Sequence, residues 1–99
     1  MAKENTFHVG LIVIELHIPY SHSLKEKRMA LRSLKDILGK QYNVSVNEVG
    51  FQDNWQRAQI ACSAVSNEVK RLQQLQAKIE SYIIDYVDAE LIYCDLEIL

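Results

Sequence analysis

Residues 17–28, HIPYSHSLKEKR, place two histidines, three hydroxyl groups and three cations close together. A histidine beside a serine is the combination that activates a nucleophile for hydrolysis, and neighbouring histidines can hold a metal ion. Cations in the same stretch would suit a phosphate or a carboxylate. Each of these chemistries also needs partner residues at a set spacing, so the rest of the sequence decides between them.

The surroundings of the two histidines do not supply those partners. His17 and His22 lack the spacing of two ligands on one helical turn, and no cysteine lies near them, whereas structural zinc takes four ligands at recognisable spacing. Ser21 and Ser23 have neither a G-x-S-x-G elbow nor an oxyanion loop. We therefore expect no metal, no cofactor and no catalytic residue, and we interpret the stretch mainly as the junction of a strand and a helix.

Hydrophobic patterning supports that interpretation. Residues 7–18 are rich in β-branched side chains and end at Pro19, which is typical of a strand. Ser23 and Glu26 form an S-x-x-E capping box ahead of leucines at helical spacing, which predicts a helix over about 24–40.

The rest of the chain continues the alternation of strands and helices. The pattern predicts strands over 43–49, 55–65 and 89–98, and a helix that Ser66 or Asn67 caps and that reaches Tyr86.

The predicted order β-α-β-β-α-β is the signature of the ferredoxin-like split βαβ arrangement. Right-handed crossovers place the four strands in one antiparallel sheet, in the order 4-1-3-2, with both helices on one face. We therefore predict an α+β ferredoxin-like sandwich. The length suits a single domain over residues 1–99, in which residues 1–6 form a flexible N-terminal extension.

Two cysteines and the N-terminal sequence bear on the compartment. Cys62 and Cys94 fall on strands that flank the first strand, about 9–10 Å apart, whereas a disulfide needs Cα atoms within about 7 Å. Unpaired thiols fit a reducing cytosol. There is no signal peptide pattern and no run of roughly 20 apolar residues that could span a membrane. We predict a cytoplasmic protein with no membrane partner.

Three connections should meet at one end of this sheet, namely residues 19–22, 50–54 and 87–88. Their side chains would form an end-of-sheet pocket, with candidate residues His22, Ser23, Lys27, Asp53 and Trp55.

Two of these residues have simpler structural interpretations. Ser23 is first of all a helix cap, and Lys27 is expected to extend to solvent at the helix end, or else to contact Asp53 or Asp88.

Four cations of the predicted first helix lie within one arc of roughly 80° and are here called the basic stripe: Lys25, Arg28, Arg32 and Lys35. Residues 23–40 hold six cations and two acids, and residues 80–99 hold six acids and no cation. Such polarity can steer a partner although the net charge is only −2. The basic stripe would meet two or three phosphates or an acidic protein patch, or it is an ordinary solvated helix face.

The face of the sheet opposite the helices, here called the open face, should be apolar at one end and polar at the other. An exposed apolar patch of this kind usually marks an interaction surface, and we predict a homo-oligomer, a dimer, through it. The candidate residues of this self-association face are Val9, Leu11, Val13, Ala61, Val65, Leu91 and Tyr93.

Several motifs occur together in a specific order: HVGLIVIELHIPYSHSLKEKR, ALRSLKDIL, YNVSVNEV, QDNWQRA and VSNE. In this order they resemble the bacterial YlxP-like family, a small domain of unknown function, over nearly the whole chain. The resemblance implies a ferredoxin-like α/β fold and no known activity, cofactor or catalytic residue. Members look like neighbours, in gene order, of translation-initiation and ribosome-maturation factors, which implies an accessory role linked to RNA or the ribosome.

We therefore predict a non-enzymatic interaction domain that acts near the ribosome through the basic stripe. The alternative is a small-molecule-binding domain or an enzyme, with its site at the end formed by residues 19–23 and 50–55.

Overall fold

The computed structural model describes residues 6–99 and confirms the predicted order of elements. These are β1 (His8–His17), α1 (Leu24–Tyr42), β2 (Ser45–Gly50), β3 (Arg57–Ser66), α2 (Val69–Tyr86) and β4 (Glu90–Ile98). Residues 1–5 of the predicted N-terminal extension lie outside the described residues. Within residues 6–99, no helix is long and apolar enough to cross a membrane.

The four strands form one antiparallel sheet in the order β2-β3-β1-β4, which is the predicted order read from the other edge. β1 pairs with β3 over its whole length, from His8 opposite Ser66 to His17 opposite Arg57. The two central strands are therefore in full register, and β2 and β4 form the two edges.

Alternation along the strands decides which face of the sheet carries the core. On β1, Ile12, Ile14 and Leu16 are fully buried, and they share one core with residues of both helices. Both helices therefore cover the same face, as predicted. Burying an aliphatic side chain of this size stabilises the fold by about 1.5–3 kcal/mol. The helix residues in this core are Leu31, Leu34, Leu38, Ile79 and Ile83.

The first helix begins and ends with local backbone signals. Ser23 Oγ accepts a hydrogen bond from the Glu26 N–H at 3.1 Å, and Glu26 Oε2 accepts one from the His22 N–H at 2.7 Å. The Ser23 half of the predicted capping box is therefore present, whereas the Glu26 carboxylate accepts from the residue before the N-cap rather than from the N–H of Ser23 itself. The helix ends at Tyr42, two residues beyond the prediction, because Asn43 adopts a left-handed conformation (φ 53°) that asparagine tolerates well.

The start of the second helix differs from the prediction. Its N-cap residue is Glu68, without a side-chain cap, rather than Ser66 or Asn67. The hydroxyl of Ser66 instead accepts from the Glu68 N–H at 3.1 Å, so it orders the turn before the helix.

A bulge in β4 changes the face on which one predicted residue lies. The pairing shifts between Glu15 and Leu16, so that Glu15 lies opposite Tyr93 and Leu16 lies opposite Leu91. Leu91 is thus on the helix side and packs against the core. Its assignment to the open face was wrong, because the extra residue Ile92 reverses the alternation at that point.

Cys62 and Cys94 are buried and unpaired, as predicted. Burial, with a smaller contribution from Cys94, raises the pKa of Cys62 to about 12. Burial likewise raises the pKa of Cys94 to about 11, against a lowering effect of Gln76. Neither thiol has the depressed pKa of a reactive cysteine.

Candidate binding surfaces

Lys27, one of the candidate residues of the predicted end-of-sheet pocket, is buried. Its Nζ lies 3.0 Å from Glu48 Oε2 and donates to the Phe51 carbonyl at 2.5 Å. The prediction that it extends to solvent was wrong, and its acidic partner is neither Asp53 nor Asp88. The side chain leaves α1 on the leucine side, which rests on the sheet, so the ammonium stays buried only with acceptors around it.

The contact between Lys27 and Glu48 is an ion pair without ideal hydrogen-bond geometry. Lys27 is 1% exposed and the Glu48 side chain 16% exposed, and Glu48 Oε2 has no hydrogen-bond partner within residues 6–99. The pair therefore ties α1 to the edge strand β2 mainly by charge.

Phe51 connects this buried pair with the open face. It adopts a left-handed conformation (φ 57°), which is uncommon and strained for a bulky residue. The Arg57 guanidinium lies 3.9 Å from the centre of its ring and also pairs with Glu15 at 2.8 Å. Phe51 thus contacts two cations: its carbonyl accepts from Lys27 on the helix side of the sheet, and its ring packs against Arg57 on the open face.

The connections at this end of the sheet do come together. Gln56 donates from its side-chain amide to the carbonyls of Pro19 and Ser21, both at 3.1 Å. Tyr20, Val87 and Asp88 line one cleft, so the α2–β4 junction lies beside the loop after β1. Partial burial, and then the negative charge of Asp88, raise the pKa of Tyr20. This part of the predicted geometry is present.

The remaining predicted pocket residues do not form a catalytic arrangement. Ser23 Oγ is the helix cap, and within residues 6–99 the imidazole of His22 makes no hydrogen bond to a serine. Asp53 and Trp55 are exposed, Trp55 by 54%. Within the same range, no three His, Cys, Asp or Glu side chains are close enough to hold a metal ion.

The basic stripe is accessible along its length. Lys25, Arg28 and Arg32 are exposed and Lys35 is half-buried. In the described part of the chain none of the four forms a salt bridge, whereas Lys27 is paired with Glu48. The stripe therefore presents four cations that have no ion-pair partner within residues 6–99.

The stripe points away from the second helix. On the other flank of α1, Ala30, Ser33 and Ile37 line a cleft together with Tyr82 and Tyr86 of α2. The stripe is thus on the outer flank, on the side of the β2 edge. The acids of β4 lie at the opposite edge of the sheet, so the molecule is electrically polar across its width.

The open face has an apolar end built on the middle strands. Val9, Leu11, Val13 and Ala61 are half-buried there, and Val65 is 70% exposed. The backbone N–H of Leu99 donates to the Val9 carbonyl, which extends the pairing and adds Leu99, 69% exposed, to the same end. Sequence reasoning missed Leu99 because it lies just beyond the last strand.

The other end of the open face is a hydrogen-bonded polar cluster. Gln59 Nε2 donates to the Tyr93 hydroxyl at 2.7 Å, across Glu15 on the strand between them. His17 Nδ1 lies 3.2 Å from Glu90 Oε2. Tyr93 therefore belongs to the polar cluster rather than to the apolar end.

Sequence reasoning also missed a groove between the helices, with a volume of about 680 Å³. Three tyrosine rings line it: Tyr82 packs edge-on to Tyr42 with centroids 6.1 Å apart, and tilted against Tyr86 at 5.3 Å. The separation of Tyr82 and Tyr86 by four positions is a signal that could have revealed this pair.

Two comparisons with known proteins bear on the family of this chain. The family model described as "Protein of unknown function (DUF503)" matches residues 9–96. The uncharacterized protein YlxP of Bacillus subtilis (strain 168) is 37% identical over 78 residues, which cover 75% of this chain and 85% of the relative. The match to the family model includes every strand and helix nearly in full, so the chain belongs to the DUF503 family of proteins of unknown function.

Proposed function

We propose that this protein is a non-enzymatic, cytoplasmic binding domain that attaches to RNA of the ribosome through the basic stripe. The observation that carries the proposal is the alignment of four accessible cations, unpaired within residues 6–99, along one flank of α1. From the first to the last, they span about 15 Å of helix.

An array of this kind suits a phosphate backbone. Cations fixed along a straight helix can each approach a different phosphate, which positions the protein without reading sequence. Lys35 is partly covered, so three or four contacts are expected. The resemblance to YlxP-like proteins supports ribosomal RNA as the anion, because their genes look like neighbours, in gene order, of genes for translation factors.

The number of contacts sets the expected strength. Four phosphate contacts to a single strand give a slope of about −2.8 in log K against log salt concentration, since each contact contributes about −0.7. Binding should thus be weak at physiological salt and readily reversible, which fits an accessory factor.

Co-sedimentation with purified ribosomal subunits at graded salt tests the proposal. We expect association that weakens with salt, and that is lost when the stripe is reversed by Lys25→Glu, Arg28→Glu, Arg32→Glu and Lys35→Glu. The control is Lys70→Glu with Lys78→Glu, two exposed cations on α2, to be compared with a two-residue reversal of the stripe, Arg28→Glu with Arg32→Glu, which makes the same change in net charge. If the reversed stripe binds as well as the parent, or if the control loses binding equally, the proposal is wrong.

The alternative, a small-molecule or enzymatic site at residues 19–23 and 50–55, takes second place. Two of its candidate groups already have structural partners, since Ser23 caps α1 and Lys27 is paired with Glu48.

A further inference from the structure

Within residues 6–99, no helix or strand covers the apolar end of the open face. Both helices lie on the other face, and Val65 and Leu99 remain 70% and 69% exposed. Monomeric proteins rarely leave a contiguous apolar patch of this kind without a partner. We propose that a second copy of this chain covers it, in a two-fold dimer whose axis runs parallel to the strands, between β1 and β3.

The pairing register determines what such an axis brings together. Asn47 lies opposite Ala61, Ala61 opposite Val13, and Val13 opposite Asp95, so these four residues form one row across the sheet. An axis parallel to the strands stacks each row on the same row of the second copy, in reverse order. Ala61 then lies over Val13 of the second copy, and Asn47 lies over its Asp95.

The neighbouring rows behave in the same way. Val65 lies opposite Val9, so these two valines stack on each other in both halves of the dimer. In the next row Ser45 lies opposite Ser63 on β3, and Leu11 on β1 lies opposite Glu97. In this row Ser63 therefore lies over Leu11 of the second copy in the centre, and Ser45 meets Glu97 at each edge. The apolar contacts are those of the Val65–Val9 and Ala61–Val13 rows on either side of it.

Charge is what selects this axis. On the open face, β4 carries Asp95 and Glu97, whereas the facing positions of β2 are Ser45 and Asn47. Hydroxyl and amide groups can donate to those carboxylates at a rim that stays in contact with water. A two-fold axis across the strands would instead place β4 on β4 and bring like charges together.

The same charges argue against nucleic acid on this face. Within the described chain, the open-face positions of the apolar end include two acids and no lysine or arginine. A phosphate backbone needs cations. Arg57 of the open face lies at its polar end and is paired with Glu15, and the basic stripe is on the helix side. The two proposed surfaces are therefore separate.

The size of the face indicates a weak dimer. The four strands β1, β2, β3 and β4 are ten, six, ten and nine residues long, and at about 3.3 Å per residue and a spacing of about 4.8 Å they give a face of roughly 550 Å² per copy. A total of roughly 1,100 Å² lies just below the range of standard stable interfaces, so dissociation is expected in the micromolar range or weaker.

Sedimentation velocity across micromolar to millimolar protein concentrations tests the dimer. We expect a monomer–dimer equilibrium that Val65→Glu with Leu99→Glu weakens by at least about tenfold, because the carboxylate at position 65 would be buried against Val9 of the second copy and the one at position 99 would replace apolar surface at the β4 rim. Both residues are exposed in the monomer, so folding should be unaffected. The control is Ile84→Glu on α2, which is 62% exposed and outside the face.

Cross-linking tests the orientation. A short bismaleimide should link Asn47→Cys protein to Asp95→Cys protein when the two are mixed, and should link neither variant to itself. The native thiols are buried and should not react. Efficient self-linking of Asp95→Cys would overturn the proposed axis.

Other outcomes overturn the dimer itself. These are a strict monomer at every concentration, a dimer that Val65→Glu with Leu99→Glu leaves unchanged, or ribosomal RNA binding that this variant abolishes. Reversal of the basic stripe should leave the dimer intact, so failure of the RNA proposal can be distinguished from failure of this one.

Discussion

Replacement of Lys27 by methionine tests whether the buried ion pair holds α1 to the edge of the sheet. Lys27→Met keeps an unbranched side chain of similar length and removes the charge. It leaves the Phe51 carbonyl without its donor and Glu48 without its cation.

The expected loss of stability follows from these two contacts. A hydrogen bond to a charged group contributes roughly 1.5–3 kcal/mol. Removing one partner of a fully buried pair costs about 3–5 kcal/mol, but the Glu48 side chain is 16% exposed and can regain some hydration. We therefore expect the free energy of unfolding to fall by about 2–4 kcal/mol in total.

Urea unfolding at neutral pH, with matching thermal melts, measures this loss. The control is Lys40→Met, which removes an exposed cation from the last turn of the same helix and should change stability by less than about 0.5 kcal/mol. The interaction between Lys27 and Glu48 is then isolated by introducing Glu48→Gln into the parent protein and into the Lys27→Met protein. We expect the double variant to lose less than the sum of the single losses, by about 1 kcal/mol or more.

Two results would refute this reasoning. One is a Lys27→Met protein within about 0.5 kcal/mol of the parent, which would mean that the ammonium's desolvation offsets its contacts. The other is strict additivity with Glu48→Gln, which would mean that the two charges do not interact.

Two further predictions concern the buried thiols and the end of α1. Because the pKa values of Cys62 and Cys94 are raised from 9.0 to about 12 and about 11, maleimide or Ellman labelling at pH 8 should be far slower in the folded protein than in urea. Labelling that is equally fast in the folded and the unfolded protein would contradict this. Above pH 9.0 the unfolded chain loses thiol protons that the folded chain keeps, so the free energy of unfolding should fall as pH rises. Asn43→Ala should cost about 1 kcal/mol in urea unfolding, since alanine resists the left-handed conformation, whereas Asn43→Gly should be neutral or stabilising; equal losses would contradict it.

The sequence predicted the features that depend on local periodicity and capping. The alternation in β1 was enough to assign Ile12, Ile14 and Leu16 to the core, because neighbouring residues of a strand must point to opposite faces. Ser23 and Glu26 marked the start of α1 for a similarly local reason. The order of strands and helices then allowed one antiparallel arrangement with right-handed crossovers.

What only the tertiary structure decided depends on contacts between residues far apart in the chain. The position of Lys27 was predicted wrongly because its local sequence does not reveal that Glu48 lies beside it. The face of Leu91 was predicted wrongly because the local sequence of β4 does not reveal its extra residue. The tyrosine groove and the row that joins Asn47 to Asp95 likewise exist only once the strands and helices are packed in register. Local sequence therefore determined which elements form and which side of each is apolar, and packing determined which charges meet and which apolar surface stays uncovered.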